Sequence, residues 1–161
     1  MLLHKQMYRH NPPESFGDCH RTVYACLLGK PLESIPNFGE YLIPEERHAA
    51  ENQWLAEQGL REVNFAFDSS LEHIFEVMKN CNPGIAYILS GTSKNGTNHA
   101  VIAMDDAILW DPAQDNSGII GPCDMNDPNV PSYYWVSFLI PAPWAHVVSP
   151  FEVIVRPIEL I

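Results

Sequence analysis

The sequence predicts an α+β fold in which an N-terminal helix packs on an antiparallel sheet. Three observations carry that prediction. Helical apolar spacing is concentrated in the first half of the chain, strand-like runs dominate the second half, and fourteen prolines in 161 residues disfavour a helical bundle. The length suits one domain over residues 1–161, enough to bury a real core.

Met1 to Gly17 is polar and carries Pro12 and Pro13, so it is expected to be mostly irregular. Asp18 stands at an N-cap position, and Cys19, Val23, Cys26 and Leu27 follow at i, i+4, i+7 and i+8 on one helical face. Gly29 suits the left-handed residue that closes such a helix, with Pro31 beyond it. A second helix is expected from about Pro44 to Gln58. Pro44 fits its first position, Glu45 and Glu46 its positive end, and Gly59 its stop. A third runs from Ser70 to Lys79 and buries Leu71, Ile74, Phe75 and Met78. Strands are expected at Val63–Phe67 and, after the turn Asn82-Pro83-Gly84, at Ile85–Leu89. Ala100–Met104 and Ala107–Trp110 flank Asp105-Asp106 as a hairpin, Tyr133–Ile140 is the strongest β run, and Phe151–Val155 closes the series.

Composition narrows the function. Hydrophobic residues at 46% against 18% charged exclude a disordered chain. A net charge of −11 without any Lys or Arg cluster argues against nucleic acid and membrane surfaces as partners. Apolar runs such as Tyr133–Ile140 fall short of the ~18–20 residues of a membrane span. Met1–Pro13 lacks the apolar core of a secretory signal, so the expected location is cytoplasmic. The four cysteines form no C-x-x-C pair and read as free thiols in a reduced compartment. His10, Cys19, His20, Cys81 and Cys123 show no metal-ligand spacing, so no metal and no cofactor are expected. Gly91–Thr97 has two glycines five apart but lacks the lysine and the following helix of a phosphate loop. It is expected to be a flexible loop that delivers His99. Tyr133, Tyr134 and Trp135 are read as core and strand-surface residues.

Cys19 is the first candidate for chemistry. A thiol at a helix N-terminus feels the positive end of the dipole and the free backbone N–H groups of the first turn, and both favour the nucleophilic thiolate. The same N–H groups can bind an oxyanion. Position alone equally fits a packed cysteine heading the stripe of Val23, Cys26 and Leu27. His99 and Asp111 add the second element. One opens a hairpin strand and the other closes its neighbour, so they should lie within about a residue of facing each other. A carboxylate beside an imidazole fixes its tautomer and steadies its protonated form, as a base for a thiol requires. A histidine ending a hairpin beside an Asp-Pro turn is the structural alternative. His20, one residue after the cysteine, points roughly 100° away around the helix and is not read as the base. His146 is a rival base without a readable acid partner.

Gly17-Asp18-Cys19 with Val23-Tyr24-Ala25-Cys26-Leu27-Leu28-Gly29, and later His99, two short strands and Asp111-Pro112-Ala113, resemble the papain-like cysteine peptidases. The resemblance is closest to the compact bacterial and phage C39-like and NlpC/P60-like groups, and it runs from Gln6 to Ala113. Leu28 to Phe38 is similar to a segment of small papain-like phage and bacterial proteins. The resemblance implies a papain-like fold with Cys19 as nucleophile, His99 as general base and Asp111 as orienting residue. It also implies an upstream glutamine as oxyanion donor. Gln6 is the one glutamine before Cys19, thirteen residues away, where C39-like members hold theirs nearer. His20 departs from the glycine usual at that position. The implied function is a cysteine-dependent hydrolase acting on an amide, peptide or isopeptide bond of a protein or peptide substrate. Deamidation and transglutaminase-type acyl transfer use the same apparatus. A binding or inhibitor protein that keeps the fold without catalysis is the alternative from another class.

Overall fold

The computed structural model describes residues 1–142, and both the expected Phe151–Val155 strand and His146 lie outside the described residues. Helix α1 spans Cys19–Leu28. It ends at Gly29, whose φ of 63° lets its N–H reach back to the carbonyls of Ala25 and Cys26. Its start lies where the sequence placed it. Asp18 holds the N-cap position, but its carboxylate makes no cap bond to the helix. It accepts instead from the backbone N–H groups of Met7 and Tyr8, at 3.4 and 3.0 Å, and faces Arg21 at 3.6 Å. The irregular N-terminal segment has no ladder of its own, so its N–H groups compete for that buried carboxylate and win.

Two single-turn 3₁₀ segments, Leu32–Ser34 and Phe38–Glu40, follow and bury Leu32 and Phe38. Helix α2 is Pro44–Glu57, with Pro44 and two acids in its first turn. Helix α3, Leu71–Cys81, is capped by Ser70, whose hydroxyl accepts from the N–H of His73. It runs two residues past the expected end, because the helix-disfavouring position is Asn82, just before Pro83.

The strands are β1 Leu60–Phe67, β2 Ala86–Thr92, β3 Asn98–Met104, β4 Ala107–Trp110 and β5 Tyr134–Pro141. They form one sheet in the order β1-β5-β2-β3-β4, and every neighbouring pair is antiparallel. The fold is therefore α+β. Strand β1 begins earlier than expected because β5 pairs along its whole length, from Leu60↔Pro141 to Phe67↔Tyr134. Strand β2 likewise runs on through Gly91, which faces His99 across the ladder. Only glycine fits there: a Cβ would lie 2.4 Å from the Gly121 carbonyl oxygen. The expected Gly91–Thr97 loop thus shrinks to a turn closed by Ser93 N–H to the Thr97 carbonyl and Gly96 N–H to that of Ser93.

Both faces of the sheet are covered. Ile88, Ala100 and Ile102 pack against Val23, Tyr24 and Cys26 of α1 and Leu55 of α2. The alternate residues Tyr87, Leu89, Val101 and Ala103 pack against Ile74 and Met78 of α3. Burial on both sides explains why β2 and β3 read as unbroken apolar runs. Leu71 and Phe75 of the expected α3 face pack at the edge of the same cluster. Tyr134 is buried, whereas Tyr133 and Trp135 are half-buried and meet edge to face on the strand surface. No helix among the described residues is long and apolar enough to cross a membrane.

Candidate functional site

Helix α1 lies across β3, and that packing brings the sequence-distant candidates together. Cys19 is the first residue of α1, half-buried, and His99 is the second residue of β3. Cys19 and His99 line the same cavity, close enough for the ring and the Ala100 backbone to act on the thiol. On the other side of the ring, Nε2 is 2.8 Å from Asp111 Oδ1. Nδ1 is therefore the nitrogen left for the thiol. The three side chains form a single line from thiol to ring to carboxylate.

Asp111 is held firmly in its role as acceptor. Oδ1 also receives the Ala113 N–H at 2.7 Å, and Oδ2 receives the Gly118 N–H at 2.7 Å. These bonds fix the carboxylate after the chain has left β4. Their effect exceeds that of burial: burial alone would raise the Asp111 pKa, but His99, Gly118 and Ala113 hold it below the usual carboxylate range. For His99, burial disfavours the charged ring, yet the bonds and charges of Asp111 and Cys19 lift it to about 9. Burial also pushes the Cys19 thiol up. The hydrogen bond and charge of His99, the Ala100 backbone and the charge of His20 outweigh burial and leave the thiol below its ordinary range. The arrangement thus favours a thiolate–imidazolium pair.

The N-terminal segment has no helix or strand, yet it is anchored to the site. The Lys5 ammonium donates to the carbonyls of Asp111 and Ala113, at 2.8 and 2.7 Å, and to Asn116 Oδ1 at 2.6 Å. It also lies 4.7 Å from the centre of the Trp110 ring, whose N–H donates to the His4 carbonyl. Gln6 N–H donates to the Pro112 carbonyl at 2.9 Å, and the Gln114 side chain donates to the Gln6 carbonyl. With Met7 and Tyr8 fastened to Asp18, the thirteen-residue gap to Cys19 folds back on itself, and Gln6 lines the same cavity as Cys19 and His99. That cavity has a volume of about 450 Å³, the size of a pocket for part of a small molecule or one stretch of peptide.

A second polar cluster stands beside the first. His20 Nδ1 is 3.5 Å from Glu51 Oε1, and its Nε2 is 3.4 Å from Glu62 Oε1. The Tyr24 hydroxyl donates to Glu62 Oε2. His20 and Glu51 line the cavity. The direction expected for His20, away from the role of base, agrees with this pairing. Glu51 and Glu62 went unnoticed in the sequence. One signal was present for Glu51: it stands one turn before Leu55, so the helical period puts it on the buried face of α2. No protein-family model matches the chain, and no curated protein or solved structure matches it either.

Proposed function

We propose that the chain is a papain-like, cysteine-dependent hydrolase that cleaves an amide, peptide or isopeptide bond through an acyl-enzyme on Cys19. The observation that carries this reading is the line of Cys19, His99 and Asp111 opening on one cavity. The Cys19 sulfur attacks the substrate carbonyl as thiolate, its proton having passed to His99 Nδ1. Negative charge on the carbonyl oxygen is received by the free N–H at the start of α1, with the Gln6 side chain as second donor. The intermediate collapses to a thioester as the imidazolium gives its proton to the leaving amine. Water, deprotonated by His99, then attacks the thioester, releases the acid and restores the thiol. Asp111 keeps the ring in one tautomer and orientation throughout. A side-chain amide in place of the peptide bond would make the same steps a deamidation.

Limiting iodoacetamide at pH 6, followed by mass spectrometry, tests the proposal. Cys81 is exposed and serves as an internal standard for an ordinary thiol. Cys19 should be labelled first and Cys26 and Cys123, which are buried, last. Labelling of Cys19 no faster than Cys81 would overturn the reading and favour a binding protein on the same framework.

A further inference from the structure

Asp111 orients His99, and the turn that carries Asp111 is itself held from outside the cleft. The β3–β4 ladder ends at Ile102↔Trp110, so no strand partner fixes the backbone that follows. Its carbonyls still need donors. Two consecutive residues of the N-terminal segment supply them. The Lys5 ammonium donates to the Asp111 carbonyl at 2.8 Å and to the Ala113 carbonyl at 2.7 Å. Between these, the Gln6 N–H donates to the Pro112 carbonyl at 2.9 Å. Three successive peptide planes are thereby fixed on one side. The middle one is rigid and carries the Ala113 N–H at its other end. That N–H donates at 2.7 Å to Asp111 Oδ1, the same oxygen that meets His99 Nε2. The third proton of the ammonium goes to Asn116 Oδ1 at 2.6 Å, so all three of its donors are used within the turn. None of its acceptors is a carboxylate. Lys5 is half-buried and does not line the cavity, whereas Gln6 beside it does.

Resting on the hydrolase reading of Cys19, we propose that Lys5 is a positioning residue: its ammonium sets the turn after β4 and, through that turn, the aim of the Asp111 carboxylate at His99. Its bonds go to the turn and not to the thiol or the ring. Without the ammonium, the carbonyls of Asp111 and Ala113 converge with Asn116 Oδ1 on one point with no positive charge between them, and like partial charges push them apart. The planes on either side of the Ala113 N–H are then released, and the carboxylate loses a fixed partner.

The test is the pH dependence of Cys19 alkylation by iodoacetamide in the folded full chain, read by mass spectrometry with exposed Cys81 as the standard. Lys5→Met keeps an unbranched stem and removes the ammonium. Its apparent thiol midpoint should rise by about half a unit or more, which is about threefold less thiolate on the acid side. Asp111→Asn should raise the midpoint as well. Lys5→Met/Asp111→Asn should raise it no further than Asp111→Asn alone, because both changes act through one carboxylate. Lys5→Gln, whose amide can still cover one carbonyl, is measured beside them in case Lys5→Met does not fold, and should shift the same way. A wild-type midpoint in a folded Lys5 variant, whatever its urea stability, makes Lys5 a fastening of the fold only and overturns the proposal. Shifts that add in the double variant overturn it too. An ordinary thiol midpoint in the wild type would instead sink the hydrolase reading itself, and this proposal with it.

Discussion

His99 and Asp111 share a 2.8 Å hydrogen bond although the β3–β4 ladder does not pair them. The ladder stops at Ile102↔Trp110, after an irregularity between Ile102 and Ala103 shifts the register by one. Simple counting from Asp105-Asp106 had placed the two residues within about one position. The shift moves the strands further out of step, and the contact is made by the carboxylate reaching back from the turn that follows Trp110. The bonds from Ala113 and Gly118 hold it there.

A rate profile follows from the two ionisations. Thiolate and imidazolium coexist between the lowered Cys19 value and about 9 for His99. Turnover on a peptide substrate should rise on an acid limb lying below the ordinary thiol range. It should fall on an alkaline limb near 9 as the ring loses its proton. Measurement of kcat/KM from pH 4 to 10 checks this. A single rise near the ordinary thiol value would contradict it.

Asp111→Asn keeps the shape of the site but loses the charge that steadies the protonated ring. Turnover should fall by about 10²–10⁴-fold while remaining measurable, and the alkaline limb should move to lower pH. Cys19→Ala should abolish turnover. Steady-state kinetics on both variants makes the comparison.

Much of this site could be read from the chain, and the reasons are local. Cys19 follows an N-cap position at the head of an apolar stripe, and His99 and Asp111 bracket a hairpin with a two-residue connection. Each of those signals spans a few residues. What was hidden is tertiary. Nothing in Tyr134–Pro141 announces that it inserts between β1 and β2, and nothing in Lys5 announces three bonds to residues more than a hundred positions on. The partners of the Asp18 carboxylate were hidden for the same reason: its N-cap position was legible and is observed, but Met7 and Tyr8 reach the carboxylate through a fold-back.

Acid should loosen the contact between α1 and β1. Burial raises the Glu62 pKa, but the charge of His20 and hydrogen bonds from His20, Tyr24 and Ser137 bring it down to about 2. A carboxylate depressed in the folded state stabilises it above its unfolded value. That contribution is lost as pH falls from about 4.5 through 2. Urea midpoints should therefore drop across this window in the wild type and more shallowly in Glu62→Gln.

The two cysteines of α1 should respond in opposite ways to alanine. Cys26 is fully buried, and its sulfur accepts the His4 N–H at 3.2 Å, so Cys26→Ala should cost about 1–2 kcal/mol. Cys19→Ala removes a half-buried thiol and, on the proposed hydrolase reading, should be neutral or stabilising. Urea midpoints of both variants against wild type measure the contrast. Equal losses would mark Cys19 as a packing residue.

The packing of α1 on β3 has a consequence for the growing chain. Cys19 leaves the ribosome eighty residues ahead of His99, and Asp111 follows later still. Until the hairpin of β3 and β4 docks against the helix, the His99 ring is absent from the surroundings of the sulfur. On the proposed hydrolase reading, the pairing of thiol and ring therefore arises only with completion of the sheet.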